Sequence, residues 1–193
     1  MKCLFVSHWL IGVTSLGPGN RLAVYFTGCS KKCPGCEASS LQNKENGKAY
    51  EARALAEFLN RIAKEEGIHA ISITGGDPLE QDKDALASFL KHLAFDDVLL
   101  FTGYTLDEVR KKSFDLFVNK YISVLKTGPY IERLNEGHPL MGSSNQLITY
   151  IDRSKKEMYE KYIVETKRNL QYFVSNDGET VYFAGLLPKN KEE

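Results

Sequence analysis

Three of the four cysteines fall within eight positions, Cys29-Ser-Lys-Lys-Cys33-Pro-Gly-Cys36, directly after the apolar run Leu22–Phe26. Thiolates spaced C-x3-C-x2-C on one short loop can converge on one metal centre, and soft sulfur donors select iron–sulfur clusters or zinc. A disulfide framework fits poorly, because three clustered cysteines leave one odd. A four-iron cube takes four ligands, so three cysteines leave one iron to a donor that is not protein. Tetrahedral zinc sites commonly pair cysteines as two C-x2-C arms. Here there is one such arm and the distant Cys3, so a zinc-stapled binding module with Cys3 as fourth ligand stands as an alternative of another class. Otherwise Cys3 reads as a small core residue, and a metal-free cluster of small hydrophobes is the lesser alternative for the loop at this spacing. His8, His69, His92 and His138 are scattered and form no ligand pattern with the cysteines.

A second constellation, Ile73-Thr-Gly-Gly-Asp-Pro-Leu79, follows a short apolar strand and leads into a helix. Its two glycines let a ligand approach the backbone, and Asp77 adds an acceptor for a cationic amine. Thr102 and Lys126 stand at the ends of two further apolar runs. Lys31 and Lys32, on the cysteine loop, read either as solvated or as contacts for an acidic electron donor.

The elements that must position these groups follow from periodicity. Strands are expected over Lys2–Leu10, Leu22–Thr27, Ala70–Thr74, Asp97–Thr102, Tyr121–Leu125 and Gln146–Ile151, and Leu16-Gly-Pro-Gly-Asn-Arg21 reads as a turn. Apolar residues recur at i, i+3, i+4, i+7 in Tyr50–Glu66, ended by Gly67, and one face of Gln81–Ala94 is apolar. Thr105-Leu-Asp-Glu108 has the form of a capping box opening a third helix. Glu37–Lys48 reads as loop, and Lys155–Lys167 as a charged surface helix. Leu170–Ser175 and Thr180–Ala184 flank Asn176-Asp177-Gly178-Glu179, a hairpin signal. Strands alternating with amphipathic helices imply parallel βαβ units. A closed eightfold barrel typically takes about 250 residues, and this chain has 193. The fold class expected is therefore α/β, a partial, open (β/α) barrel of four to six strands with a C-terminal β-hairpin extension. Residues 1–152 form the barrel domain and 153–193 the extension packed on it. The cysteine loop, Gly75–Asp77, Thr102–Tyr104 and Lys126–Gly128 all follow strands, so all four face one mouth.

With 42% hydrophobic residues and 25 basic against 25 acidic side chains, the chain carries no net field that favours nucleic acid or an anionic membrane. No apolar run reaches the ~18–20 residues of a membrane span, and no signal-peptide layout is present. Clustered thiols without an export signal point to a reducing cytoplasm.

The C-x3-C-x2-C spacing resembles the signature of the radical S-adenosylmethionine (SAM) superfamily, and Gly75-Gly76-Asp77-Pro78 is similar to its Gly-Gly-Glu motif. Gly17-Pro18-Gly19-Asn20-Arg21, Phe101-Thr-Gly-Tyr-Thr-Leu-Asp-Glu108 and Gly142-Ser-Ser-Asn-Gln146 are similar to segments of the anaerobic ribonucleoside-triphosphate reductase activating proteins, a resemblance running from Gly17 to Gln146. Three places depart from it: Glu-Ala-Ser-Ser after Cys36, Lys126-Thr127 where many relatives carry Val-Asp, and Met141 before Gly142. The resemblance implies a 4Fe-4S cluster held by Cys29, Cys33 and Cys36, with SAM at the open iron. It also implies SAM contacts from Gly35, Cys36, Glu37, Gly75, Gly76 and Asp77, with Thr102 and Lys126 as strand-end candidates. The implied activity is reductive cleavage of SAM to methionine and a 5′-deoxyadenosyl radical, which takes an α-hydrogen from a glycine of a partner anaerobic ribonucleotide reductase. A one-electron donor such as flavodoxin or ferredoxin is implied with it. An activase for another glycyl-radical enzyme, or a radical enzyme acting on a peptide or small molecule, is the rival within the same chemistry.

Overall fold

The computed structural model describes residues 2–175 and 177–187. Its frame is a seven-stranded sheet in the order β3-β1-β2-β4-β5-β6-β7. Four central strands run parallel: β2 (Arg21–Phe26), β4 (Ala70–Gly75), β5 (Asp97–Phe101) and β6 (Val124–Thr127). On one side β1 (Cys3–Val13) and β3 (Lys48–Glu51) add antiparallel, and on the other β7 (Leu147–Tyr150) does the same. The sheet is open, with β3 and β7 as its edges. The fold is thus mixed α/β, unclosed as expected, and wider than the four to six strands foreseen because antiparallel strands extend both flanks of the parallel core.

All six residues of β2 are buried, since the sheet is covered on both faces. Leu22, Val24 and Phe26 point to the larger core, with Ile71, Ile73, Leu100 and Leu125. That core is closed by α1 (Ala52–Glu65), α2 (Lys83–His92), α3 (Leu106–Lys111) and α4 (Asp115–Tyr121). In α1 the buried side chains Ala52, Leu55, Ala56, Leu59 and Ala63 recur at helical spacing. The helix begins two residues later than its periodicity suggests, because Lys48–Glu51 pairs with β1 and the Glu51 carboxylate caps the amides of Arg53 and Ala54. In the same way α2 begins at Lys83, after the 3-10 turn Pro78–Glu80, with Asp82 as its cap. Thr105 and Glu108 form the expected capping box.

The opposite sheet face is covered by the C-terminal elements. Tyr159 of α5 (Lys156–Glu165) packs with Leu99, Val124 and Leu140. Ala184, from the hairpin of β8 (Leu170–Val174) and β9 (Val181–Gly185), packs with Leu10, Ala23 and Tyr25. Asn176 of the expected turn lies outside the described residues.

At the starting ends of the parallel strands the Gly-Pro-Gly-Asn-Arg segment has a role beyond a turn. The Arg21 side chain is fully buried, its Nη1 donating to Asp97 Oδ2 at 2.7 Å and to the Pro18 carbonyl at 3.1 Å. Nε donates to Ser72 Oγ at 2.7 Å and Nη2 to the Ile71 carbonyl at 2.9 Å. The Tyr159 hydroxyl donates to the same Asp97 carboxylate at 2.9 Å. Gly17 is required beside it: a Cβ there would stand 3.2 Å from the guanidinium, at a φ of +124°.

Breaking a buried ion pair by removing one partner typically costs about 3–5 kcal/mol, since the other charge is left uncompensated. Asp97→Asn is expected to lower unfolding free energy by about that amount. Tyr159→Phe, which leaves Arg21 paired, is expected to lose only about 1.5–3 kcal/mol. Urea unfolding of the iron-free protein measures both, and an equal loss in the two variants would contradict this ranking.

Candidate functional site

Because β2, β4, β5 and β6 are parallel, the loops leaving their carboxyl ends lie together, as the strand-end argument requires. The β2 loop turns at Gly28, with φ +98°, whose amide donates to the Leu41 carbonyl at 2.8 Å; the Cys29 amide donates to Gln42 at 3.0 Å. The Cys36 amide closes back on the Cys33 carbonyl at 3.2 Å. The β4 loop sits against this one, Gly76 N–H donating to Phe26 O and Asp77 N–H to Gly28 O, both at 2.8 Å. Only glycine permits that approach, since a Cβ on Gly76 would lie 2.5 Å from Gly28 O and one on Gly75 2.3 Å from Phe26 O.

Asp77 joins the β4 and β5 loops. Its carboxylate is 1% exposed and accepts from Leu79 N–H at 3.0 Å, from the Thr102 hydroxyl at 2.8 Å and from Gly103 N–H at 2.8 Å. Burial pushes its pKa up to about 6, against the pull of those three donors. The Thr102 hydroxyl is therefore committed to Asp77.

Cys29, Cys33 and Cys36, none of them in a disulfide, line one cavity of about 640 Å³. Glu37, Gly75, Gly76, Asp77, Thr102 and Lys126 line it too, so the fold brings nearly all the expected site residues together. Gly35 stands apart from that lining: it is exposed, at φ +70°, where a Cβ would meet the Glu132 carboxylate at 2.8 Å. Cys3 does not line the cavity and sits in β1 opposite Glu51.

The donor set suits a cluster with several metal ions better than a single ion. A zinc ion with Zn–S bonds of about 2.3 Å would hold sulfurs about 3.8 Å apart. Among the described residues the group of three candidate donors within 4.8 Å of one another is Cys29, Asp77 and Glu80, not the three cysteines. Both carboxylates are already hydrogen-bonded, Glu80 by the Ser30 amide at 2.8 Å and hydroxyl at 2.7 Å. Thiolates on separate irons of one cube stand wider apart than thiolates sharing an ion. Burial raises the Cys29 thiol, and the Asp77 and Glu80 charges add to it, so its thiolate requires a compensating cation.

Lys126, paired in register with Phe101, puts its ammonium into the same cavity. Burial lowers its pKa to about 8, countered by Asp77, Cys33 and Cys36. Among the described residues its Nζ has no hydrogen-bond or ion-pair partner; its contact is the Phe101 ring at 5.9 Å. Lys31, in contrast, is held by Glu108 at 3.1 Å and stands 4.3 Å from the Tyr104 ring centre. The capping-box glutamate thereby also tethers the cysteine loop.

Periodicity did not single out several lining residues. Gln146 closes one side by accepting from Gly142 N–H and donating to Gly128 O, at 2.8 and 2.7 Å, which accounts for the Gly142–Gln146 segment. His8, stacked on Tyr25 at 4.4 Å and against Tyr182 at 4.3 Å, lines another side. No spacing rule links His8 to Tyr182, whose contact depends on how the hairpin docks.

Against known proteins, the family model described as a 4Fe-4S single cluster domain matches residues 15–149. The anaerobic ribonucleoside-triphosphate reductase-activating protein of Enterobacteria phage T4 is 32% identical over 135 residues, covering 67% of this chain and 83% of its own. The proteins of that name from Vibrio cholerae and Escherichia coli K12 are 31% and 30% identical, covering 68% and 70% of this chain and 88% and 91% of theirs. The chain belongs to the 4Fe-4S single cluster domain family and, within it, to the anaerobic ribonucleoside-triphosphate reductase-activating proteins. Among the described residues no helix is long and apolar enough to cross a membrane.

Burial lowers the His8 pKa from 6.5 to about 4. Because the unfolded chain takes the proton first, stability is full above pH 6.5 and falls as pH drops toward 4. Linkage puts the loss at about 2 kcal/mol between pH 7 and pH 5. His8→Phe is expected to remove that pH dependence, so the stability of wild type relative to the variant falls by about 2 kcal/mol between pH 7 and pH 5; a constant offset in urea unfolding across the range would refute it.

Proposed function

We propose that this protein is a radical SAM enzyme that installs a glycyl radical on an anaerobic ribonucleoside-triphosphate reductase, its sheet serving as the partial, open (β/α) barrel of that superfamily. The observation that carries the reading is the sharing of one cavity by three thiols and an uncommitted ammonium at the ends of parallel strands. When bound, the 4Fe-4S cluster and SAM supply one-electron cleavage of the sulfonium carbon–sulfur bond, giving methionine and a 5′-deoxyadenosyl radical that takes a glycine α-hydrogen.

The chain's own work is positional. Cys29, Cys33 and Cys36 would hold the cluster through three thiolates, beside the Gly75–Asp77 loop that lines the same cavity. Lys126 would pair with the carboxylate of SAM, giving a counter-charge to a partly buried ammonium. The backbone at Gly75 and Gly76 would receive the methionyl amine, with Asp77 fixing the β4 and β5 loops beside it. Glu37 and Thr102 complete the wall, and Gly35 shapes the loop from outside. No side chain acts as general acid or base, because the bond breaks homolytically. Residues 1–152 are read as the barrel domain and 153–193 as an extension docked on it through Tyr159 and Ala184. A reducing cytoplasm and an acidic one-electron donor, flavodoxin or ferredoxin, fit clustered thiols and the exposed Lys32.

Anaerobic reconstitution is expected to give about four irons and four sulfides per chain; one zinc per chain would end the assignment. With a strong reductant and SAM the loaded protein should form 5′-deoxyadenosine, and Cys33→Ala should abolish it. Adding the reductase should yield a glycyl-radical electron paramagnetic resonance signal. Loss of one charge-assisted contact predicts that Lys126→Met raises the KM for SAM by about tenfold or more with iron content intact. An unchanged KM would remove Lys126 from that role.

A further inference from the structure

The β8–β9 hairpin lies beyond the family-matched segment, yet it forms one wall of the cavity that holds the three cysteines. Its inner face is fixed. Ala184 is buried against Leu10 and Tyr25, and the Tyr25 hydroxyl donates to the Phe183 carbonyl at 3.2 Å. Gln171 Oε1 accepts from the amides of Thr14 and Ser15 at 2.7 and 2.9 Å. Where the chain leaves β9, the Leu187 amide donates to Glu37, the neighbour of Cys36, at 3.1 Å.

The outer face is different. Tyr172 pairs across the strands with Phe183, and Val174 with Val181. These four side chains are 67%, 52%, 64% and 48% exposed, an uncharged ladder on a firmly mounted hairpin. Such a patch marks an interaction surface rather than a surface at ease in water. It is continuous with the mouth, because Tyr172, Val181 and Phe183 also line the cavity. A glycine that reacts here belongs to a polypeptide, and the segment delivering it has to pass the rim.

We propose that the outer face of the β8–β9 hairpin, built from Tyr172, Val174, Val181 and Phe183, is the surface on which the glycine-bearing polypeptide segment of the partner reductase docks. This rests on the function proposed above. The segment lays apolar side chains across the Tyr172–Phe183 and Val174–Val181 rungs while its glycine reaches the cavity. The hairpin then selects the partner, and the family-matched segment supplies the chemistry.

The test measures affinity of the full-length, cluster-loaded and of the iron-free protein for the purified, unactivated cognate reductase under anaerobic conditions. Truncating interface aromatics predicts that Tyr172→Ser/Phe183→Ser weakens binding about tenfold or more in both forms. Val174→Lys, outside the cavity lining, should weaken it in the same direction. Val164→Ser, an 84% exposed apolar residue on α5, should leave it unchanged. Unfolding midpoints and iron content confirm that each variant is folded. Unchanged affinity in both hairpin variants overturns the proposal. So does a variant that dissociates a dimer of this chain in sedimentation while binding reductase normally. Wild-type protein that forms no 5′-deoxyadenosine would instead overturn the underlying function, so the two failures are distinguishable.

Discussion

A guanidinium buried at the starting ends of parallel strands is costly unless its charge is paired and its nitrogens are hydrogen-bonded, and Arg21 meets that condition through four partners drawn from three segments. Ser72 and Ile71 come from β4, Asp97 from β5 and Pro18 from the turn before β2. One side chain thereby sets three strands in a common register. Sliding a strand by one residue would exchange its two faces, turning Ala23 and Tyr25 toward the helices and Leu22 and Val24 away from them. With the starting ends aligned, the carboxyl ends of β2, β4 and β5 finish at one level, and that alignment gives the cysteine loop and the Gly75–Asp77 loop a common mouth.

Asp77 is the corresponding joint at the other end, and the two carboxylates contrast in what they leave free. Asp97 neutralises a cation. Asp77 receives neutral donors from Leu79, Thr102 and Gly103, and burial drives its pKa up to about 6. Neither is spare for a ligand. Among the described residues Lys126 is a charge that faces the cavity without an ion pair, and desolvation penalises it. A fold that keeps an unpaired ammonium in such a place gives up stability there, a pattern expected where function overrides packing. An anionic group entering the cavity removes that penalty.

Much of this was legible from residue order. The C-x3-C-x2-C loop, the Gly-Gly-Asp-Pro turn and the apolar run before each strand-end loop together place the mouth, because parallel strands leave little choice about where their ends meet. The Thr105–Glu108 capping box is a local pattern and was readable as such. Less visible were features set by contacts distant in sequence. Lys48–Glu51 carries no strand signal and becomes β3 through pairing with β1. Glu108 caps α3 and also reaches Lys31, and Gln81 bonds both the Phe5 amide and the Thr27 carbonyl, at 2.8 Å each. The Arg21 network was hidden for the same reason, since Arg21 and Tyr159 are separated by most of the chain.

The C-terminal elements show why the family-matched segment is not self-sufficient here. A parallel sheet needs both faces covered, and that segment brings helices to one. On the other face Leu99 and Val124 are covered with the help of Tyr159, and Ala23 and Tyr25 with the help of Ala184. The same hairpin residues are divided by strand alternation. Phe173, Tyr182 and Ala184 point inward and are held to the shape of the core, while Tyr172, Val174, Val181 and Phe183 point outward and are free of that requirement. A surface placed in this way can change its apolar pattern without disturbing the sheet beneath. A hairpin that is core on one side and rim on the other therefore lets partner choice vary separately from the geometry that holds the three thiols.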